Sequence, residues 1–160
     1  MVYDNYKILV SKKVFVFTPI LSAGFHDYDE AKLEQDFLNA FPGSLTREKL
    51  VKGLIDYIKC LKTFRIPFEI WIDGSFVTNK MNPNDIDLLI VAPQQKCDSL
   101  TSEQKTYFET LLNRAIAKTN FHCDVYFCVA ENEPNKSYWR GWFGFSREEL
   151  PKGIVRMKVS

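Results

Sequence analysis

Between Trp71 and Val91 the chain reads Trp-Ile-Asp-Gly-Ser-Phe, then a polar loop, then Asn-Asp-Ile-Asp-Leu-Leu-Ile-Val. Two carboxylates, Asp85 and Asp87, thus alternate into what the apolar run predicts to be a buried strand. At about 5 Å and an effective dielectric near 20, two ionised carboxylates repel by roughly 3 kcal/mol. A strand that carries both calls for positive charge beside it, and a divalent cation would supply it. The bland alternative is a strand entrance facing solvent, with Asn84 and Asp85 ending a turn.

The surrounding pattern predicts a small α/β (α+β) domain, one mixed sheet with helices packed against it. From Tyr6 to Ile20, Lys-Ile-Leu-Val and Val-Phe-Val-Phe flank Ser-Lys-Lys and suggest a hairpin or an interrupted strand. Leu33, Phe37 and Leu38 mark a short helix that Pro42-Gly43 ends. Thr46 to Phe64 is the clearest amphipathic helix, with Leu50, Leu54, Ile55, Ile58 and Leu61 on one face. Phe68 to Asp73 alternates as a strand that stops at Gly74, and Asp85 to Val91 forms the next.

Thr101-x-x-Gln104 is a capping-box signature, followed by one helix carrying Phe108, Leu111, Leu112, Ala115 and Ile116. Phe121 to Val129 then alternates as a third strand. In the tail, Tyr138, Trp139, Trp142, Phe143 and Phe145 surround Arg140 and suit a cap on the core better than a platform for a stacked base. Ile154 to Val159 is expected as an edge strand.

Length and charge narrow the function classes. The 160 residues, 46% hydrophobic, fit one domain, taken as 1–160 with a motif core at about 46–129. A formal net charge of +1 gives no global case for nucleic acid or an anionic membrane. No apolar run approaches the roughly 20 residues of a membrane span, and no signal-type start is visible. Cys60, Cys97, Cys123 and Cys128 lack Cys-x-x-Cys spacing and read as reduced thiols, so a cytoplasmic protein is expected.

Asp85 and Asp87 fall on one strand face, and Asp124 can join them if its strand pairs alongside. Three oxygen donors without a soft ligand favour Mg2+ or Mn2+ over zinc. Gly74-Ser75 ends the preceding strand, where a glycine admits close backbone approach and the following N–H groups and hydroxyl can hold phosphate oxygens. His26 and His122 lie far apart with no nucleophile beside them and are read as structural. Lys152 and Arg156 read as a solvated face or as phosphate contacts.

Gly74-Ser75, nine intervening residues, Asp85-Ile86-Asp87-Leu88 and a later Asp124 together resemble the signature of the polymerase-β-like nucleotidyltransferase superfamily. Within it, the Asp-Gly-Ser-Phe and Pro-Asn-Asp-Ile-Asp pattern is most similar to small bacterial minimal nucleotidyltransferase-like proteins. The resemblance implies that Asp85 and Asp87 hold Mg2+, that Asp124 completes the metal site and helps activate an acceptor hydroxyl, and that Gly74 and Ser75 bind a nucleoside triphosphate such as ATP. The acceptor, whether RNA, protein or small molecule, is open. Two departures stand out: Asp73 occupies a position usually apolar in the superfamily, and Phe76-Val77-Thr78 replaces basic residues, with Lys80 the nearest cation. The alternative expectation is a catalytically weak or silent module of the same fold, acting as an antitoxin-like or regulatory protein partner. Nucleic-acid binding without catalysis has only the aromatic and arginine tail behind it.

Overall fold

A computed structural model describes residues 17–160. Five strands form one mixed sheet in the order β1-β5-β2-β3-β4: β1 Gly24–Asp27, β2 Phe68–Asp73, β3 Ile86–Ala92, β4 Cys123–Val129 and β5 Gly153–Val159. β2 runs antiparallel to both β3 and β5, while β3–β4 and β1–β5 are parallel. The α/β expectation therefore holds. The expected hairpin at Tyr6 to Ile20 lies mostly outside the described residues; at its end, Pro19 makes an isolated bridge to Thr78.

Among the described residues, six α-helices cover the sheet: α1 Glu30–Glu34, α2 Arg47–Lys62, α3 Gln94–Asp98, α4 Ser102–Leu112, α5 Arg114–Phe121 and α6 Glu133–Phe143. The α1 helix continues into a wider π turn at Gln35–Asn39. On one face, Leu50, Leu54, Ile58 and Leu61 of α2, Phe108 and Leu111 of α4 and Ala117 of α5 pack on Ile70, Ile72, Ile86, Leu88 and Val155. The alternation that turns those residues down turns Trp71, Leu89 and Ile154 up, where Phe143 and Trp139 of α6 cover them.

Several expectations need correction. The helix expected to run through Ile116 breaks at Asn113, whose backbone is extended (ψ 113°) and whose side chain caps a new helix by accepting from Ile116 N at 3.1 Å. Phe121 belongs to that helix and not to the third strand. His122 closes it in a left-handed conformation, φ 59°, so β4 starts at Cys123. β5 is no edge strand: it lies between β1 and β2. The Thr101/Gln104 capping box forms as expected.

The aromatic tail divides. Trp139 and Phe143 cap the core, but Tyr138 and Trp142 stand more than half exposed, their rings near parallel at 13°. All four cysteines are free, Cys123 and Cys128 buried and the others half-buried. Among the described residues, no helix is long and apolar enough to cross a membrane.

Arg47, the first residue of α2, is fully buried. Among the described residues, no carboxylate answers its charge. Nη1 donates instead to the carbonyls of Phe37 (3.0 Å) and Phe76 (2.9 Å), Nη2 to those of Thr78 (2.9 Å) and Lys80 (2.7 Å), and the guanidinium lies 3.7 Å from the centre of the Phe41 ring. Burial lowers its pKa to about 10, which leaves it charged at neutral pH. The planar five-donor fork is what lets one side chain hold four carbonyls. Arg47→Met should therefore destabilise the protein by about 3 kcal/mol or more, because it strands those carbonyls in the interior. Arg47→Lys should recover only part of the loss, since an ammonium has fewer donors and no fork; urea unfolding of both variants measures it.

Candidate functional site

Strand register brings the acidic residues together. Asp73 pairs with Asp87 across the antiparallel β2–β3 ladder, and Asp87 pairs with Asp124 across the parallel β3–β4 ladder. In-register neighbours share a sheet face, here the face covered by α6. Asp85, one residue before β3, lies two positions from Asp87. Asp85, Asp87 and Asp124 thus assemble as their spacing suggested, and Asp73, noted in the sequence only as a departure, is a full member of the row.

Each flank of the row has its own cation. Lys118 Nζ lies 2.8 Å from Asp85 Oδ2. Arg114 grips Asp124 with both arms, Nε to Oδ1 at 2.7 Å and Nη2 to Oδ2 at 2.9 Å, and Nη2 also donates to Tyr126 Oη at 3.0 Å. Lys152 Nζ sits 2.7 Å from Asp73 Oδ1, and both side chains of that pair are almost wholly buried. Asp87, in the middle, has no ion pair among the described residues.

Ionisation follows that layout. Burial raises the Asp87 carboxyl to about 6, and the neighbouring charges of Asp85 and Asp124 push the same way. Burial also raises Asp73, to about 7, against the pull of Lys152. Asp124 is held below its ordinary range, chiefly by its hydrogen bond from Arg114.

Gly74 turns the chain off β2 with φ 83° and ψ −165°, a backbone that L side chains rarely adopt. A Cβ there would also collide with Asp87 Oδ2, so the glycine is needed for both conformation and room. Ser75–Val77 follows as a single 3-10 turn. Phe76 and Val77 point into the core, and Thr78 Oγ1 donates to the Ser75 carbonyl at 2.7 Å. Through Phe76, Thr78 and Lys80, Arg47 fixes the loop that departs from this turn.

The row suits a hard cation in kind, since its donors are all carboxylate oxygens and Asp87 has a free charge facing the Gly74 turn. Among the described residues, however, no group of three or more His, Cys, Asp or Glu side chains is placed to hold a metal ion as the side chains stand. Arg114 and Lys118 hold Asp124 and Asp85 instead. Both cations are more than half exposed, at 57% and 56%, so they can swing into solvent without disturbing the core. His26 Nε2 lies 2.7 Å from the Ser22 carbonyl, and His122 caps α5.

Sequence reasoning missed Arg114 and Lys118 as partners of the row. The available signal was their spacing of four on one helix face, directly before the strand that bears Asp124.

The raised Asp87 carboxyl makes a signed prediction. Its folded pKa of about 6 exceeds the ordinary 3.8, so between those values the folded state binds more protons than the unfolded chain. Its contribution to stability therefore falls as pH rises through that window and stays lower above it. Asp87→Asn removes the titration and should be more stable than the native protein near pH 7.5 by roughly 1–3 kcal/mol, with the gap shrinking as pH approaches 4. Urea unfolding at the two pH values measures both differences.

A search of curated proteins and a search of solved structures each gave no match. One family model does match, over residues 15–158, nearly the whole chain. The chain belongs to the family described as a family of unknown function, DUF6932.

Proposed function

We propose that the protein is a Mg2+-dependent nucleotidyltransferase that moves a nucleoside monophosphate from a nucleoside triphosphate to an acceptor hydroxyl. The observation that carries the reading is the in-register row of Asp73, Asp87 and Asp124, with Asp85 beside it, abutting the Gly74 turn. In the reaction the acceptor oxygen bonds to the α-phosphorus, the bond from that phosphorus to its bridging oxygen breaks, and pyrophosphate leaves with the electron pair.

Asp85, Asp87 and Asp124 are the residues that would hold Mg2+. A bound Mg2+ would offset phosphate charge and make the acceptor hydroxyl more acidic. Gly74 and Ser75 offer backbone N–H groups and a hydroxyl to the phosphates, and Arg47 keeps their loop from moving. Asp124 would accept the acceptor's proton, but only once Arg114 has let go, because that pairing keeps its carboxylate weakly basic. The proposed setting is the cytoplasm, where the four free thiols stay reduced and nucleoside triphosphates are plentiful.

Calorimetric titration with ATP, GTP, CTP and UTP in Mg2+ tests the reading. At least one should bind, and at a hundredfold excess over its Kd it should raise unfolding stability by about 2.7 kcal/mol. Asp87→Ala should abolish that gain. A folded protein that gives no heat with any of the four would sink the proposal.

A specific observation also supports a second reading, a catalytically silent module that binds another protein. Arg114, Lys118 and Lys152 already neutralise three of the four carboxylates. On this reading Asp85→Ala and Asp87→Ala would leave partner capture intact, and no label would pass from any nucleotide to candidate acceptors.

A further inference from the structure

The row that holds the carboxylates has an apolar half. Phe25 of β1 pairs with Ile154 of β5. Val155 pairs with Ile72, so Ile154, one residue earlier on an antiparallel strand, falls beside Asp73. Phe25, Ile154, Asp73, Asp87 and Asp124 thus make one line across all five strands, on the face covered by α6.

Over its apolar end lies an open cavity of about 350 Å³, walled by Phe25, Phe145, Pro151 and Ile154, with Arg140 and Lys152 as its charged lining. Among the described residues, no acidic side chain lines it. Lys152 belongs to both halves: it walls the cavity, and its Nζ meets Asp73 Oδ1 at 2.7 Å. From Ile154 to Asp87 is two strand spacings of about 4.8 Å each, within the reach of a nucleotide from base to phosphate.

Glycines shape the walls. A Cβ on Gly153 would collide with the Ser22 carbonyl and the Leu21 side chain, so the incoming chain is pressed against β5. Gly24, at φ 105°, and Gly141 face open space, and both line the cavity.

We propose that this cavity receives the base and ribose of the nucleotide whose phosphates lie at the Gly74 turn, an inference that rests on the nucleotidyltransferase reading. Two features favour this occupant. Aromatic walls suit the face of a flat ring, and the line of side chains leads from the ring site to Asp87.

Amide NMR spectra of the full chain, titrated with AMP, GMP, CMP and UMP, test it. At least one should shift the signals of Gly24, Gly141 and Gly144, while inorganic tripolyphosphate with Mg2+ should shift only residues near Gly74. Gly141→Leu places a side chain at the cavity on an exposed helical position, where leucine favours the helix. It should weaken nucleotide binding about tenfold and leave tripolyphosphate binding unchanged. Phe145→Ala, which removes a half-exposed wall, should weaken nucleotides about tenfold too and is the check should the leucine variant misfold.

Nucleotide shifts confined to the Gly74 region, or unchanged affinity in both variants, would overturn the cavity assignment and leave the transferase reading standing. Cavity shifts without label transfer from any triphosphate would keep the assignment and remove the transfer step. Absence of binding by every mono- and triphosphate would defeat both.

Discussion

Carboxylates set side by side on paired strands repel one another, and the surroundings of the row are built around that repulsion. Asp73, Asp87 and Asp124 occupy facing positions on three adjacent strands, with neighbouring Cα atoms about 4.5–5.5 Å apart. The offsetting charges come from elements that the sheet brings in from both sides. Lys152 arrives on the segment that leads into β5, and Arg114 and Lys118 arrive on α5, one helical turn apart. The tight left-handed turn at His122 explains the second delivery: it folds α5 directly back onto β4, so cations on the helix reach carboxylates at the strand's start.

A different solution operates around the turn after β2. In the loop from Phe76 to Lys80, the carbonyls of Phe76, Thr78 and Lys80 point inward. Arg47 meets them with a guanidinium that has no anionic partner among the described residues. A carboxylate there would compete for the same donors, and the loop would lose its anchor. Gly74 is thus set from both sides, by the Asp87 carboxylate that forbids a Cβ and by the anchored loop that follows.

What the sequence made legible depended on how local the cause was. α2, β2 and β3 follow from periodicity within a few residues, and the Thr101/Gln104 box from a spacing of three. Asn113 is harder, because the same residue serves inside a helix or at the start of the next, and only its extended backbone decides. β1 is four residues long and half-exposed, too short for alternation to register. The interior place of β5 could not be read at all: Val155, Met157 and Val159 alternate equally well on an edge, and their neighbours are far away in the chain. The candidate site divides the same way. Gly74, Asp85, Asp87 and Asp124 stand out as polar residues in apolar strands. Arg114, Lys118 and Lys152 look like any solvated cations until the fold sets them against the row.

The charge balance shows what a ligand would have to change. Four carboxylates against three cations leave one negative charge uncompensated, and it resides on Asp87, the one carboxylate of the row with no ion pair among the described residues. The three neutralising pairs differ in kind. Asp73–Lys152 is almost wholly buried, is little screened by salt and would be costly to separate. The Arg114 and Lys118 pairs are exposed on the cation side, where such contacts are worth little. A divalent cation entering at Asp87 meets its weakest opposition from Asp85 and Asp124 and its strongest from Lys152. The row is therefore asymmetric: the exposed pairs at its β4 end can part, while the buried pair at its β5 end stays fixed beside the apolar cavity.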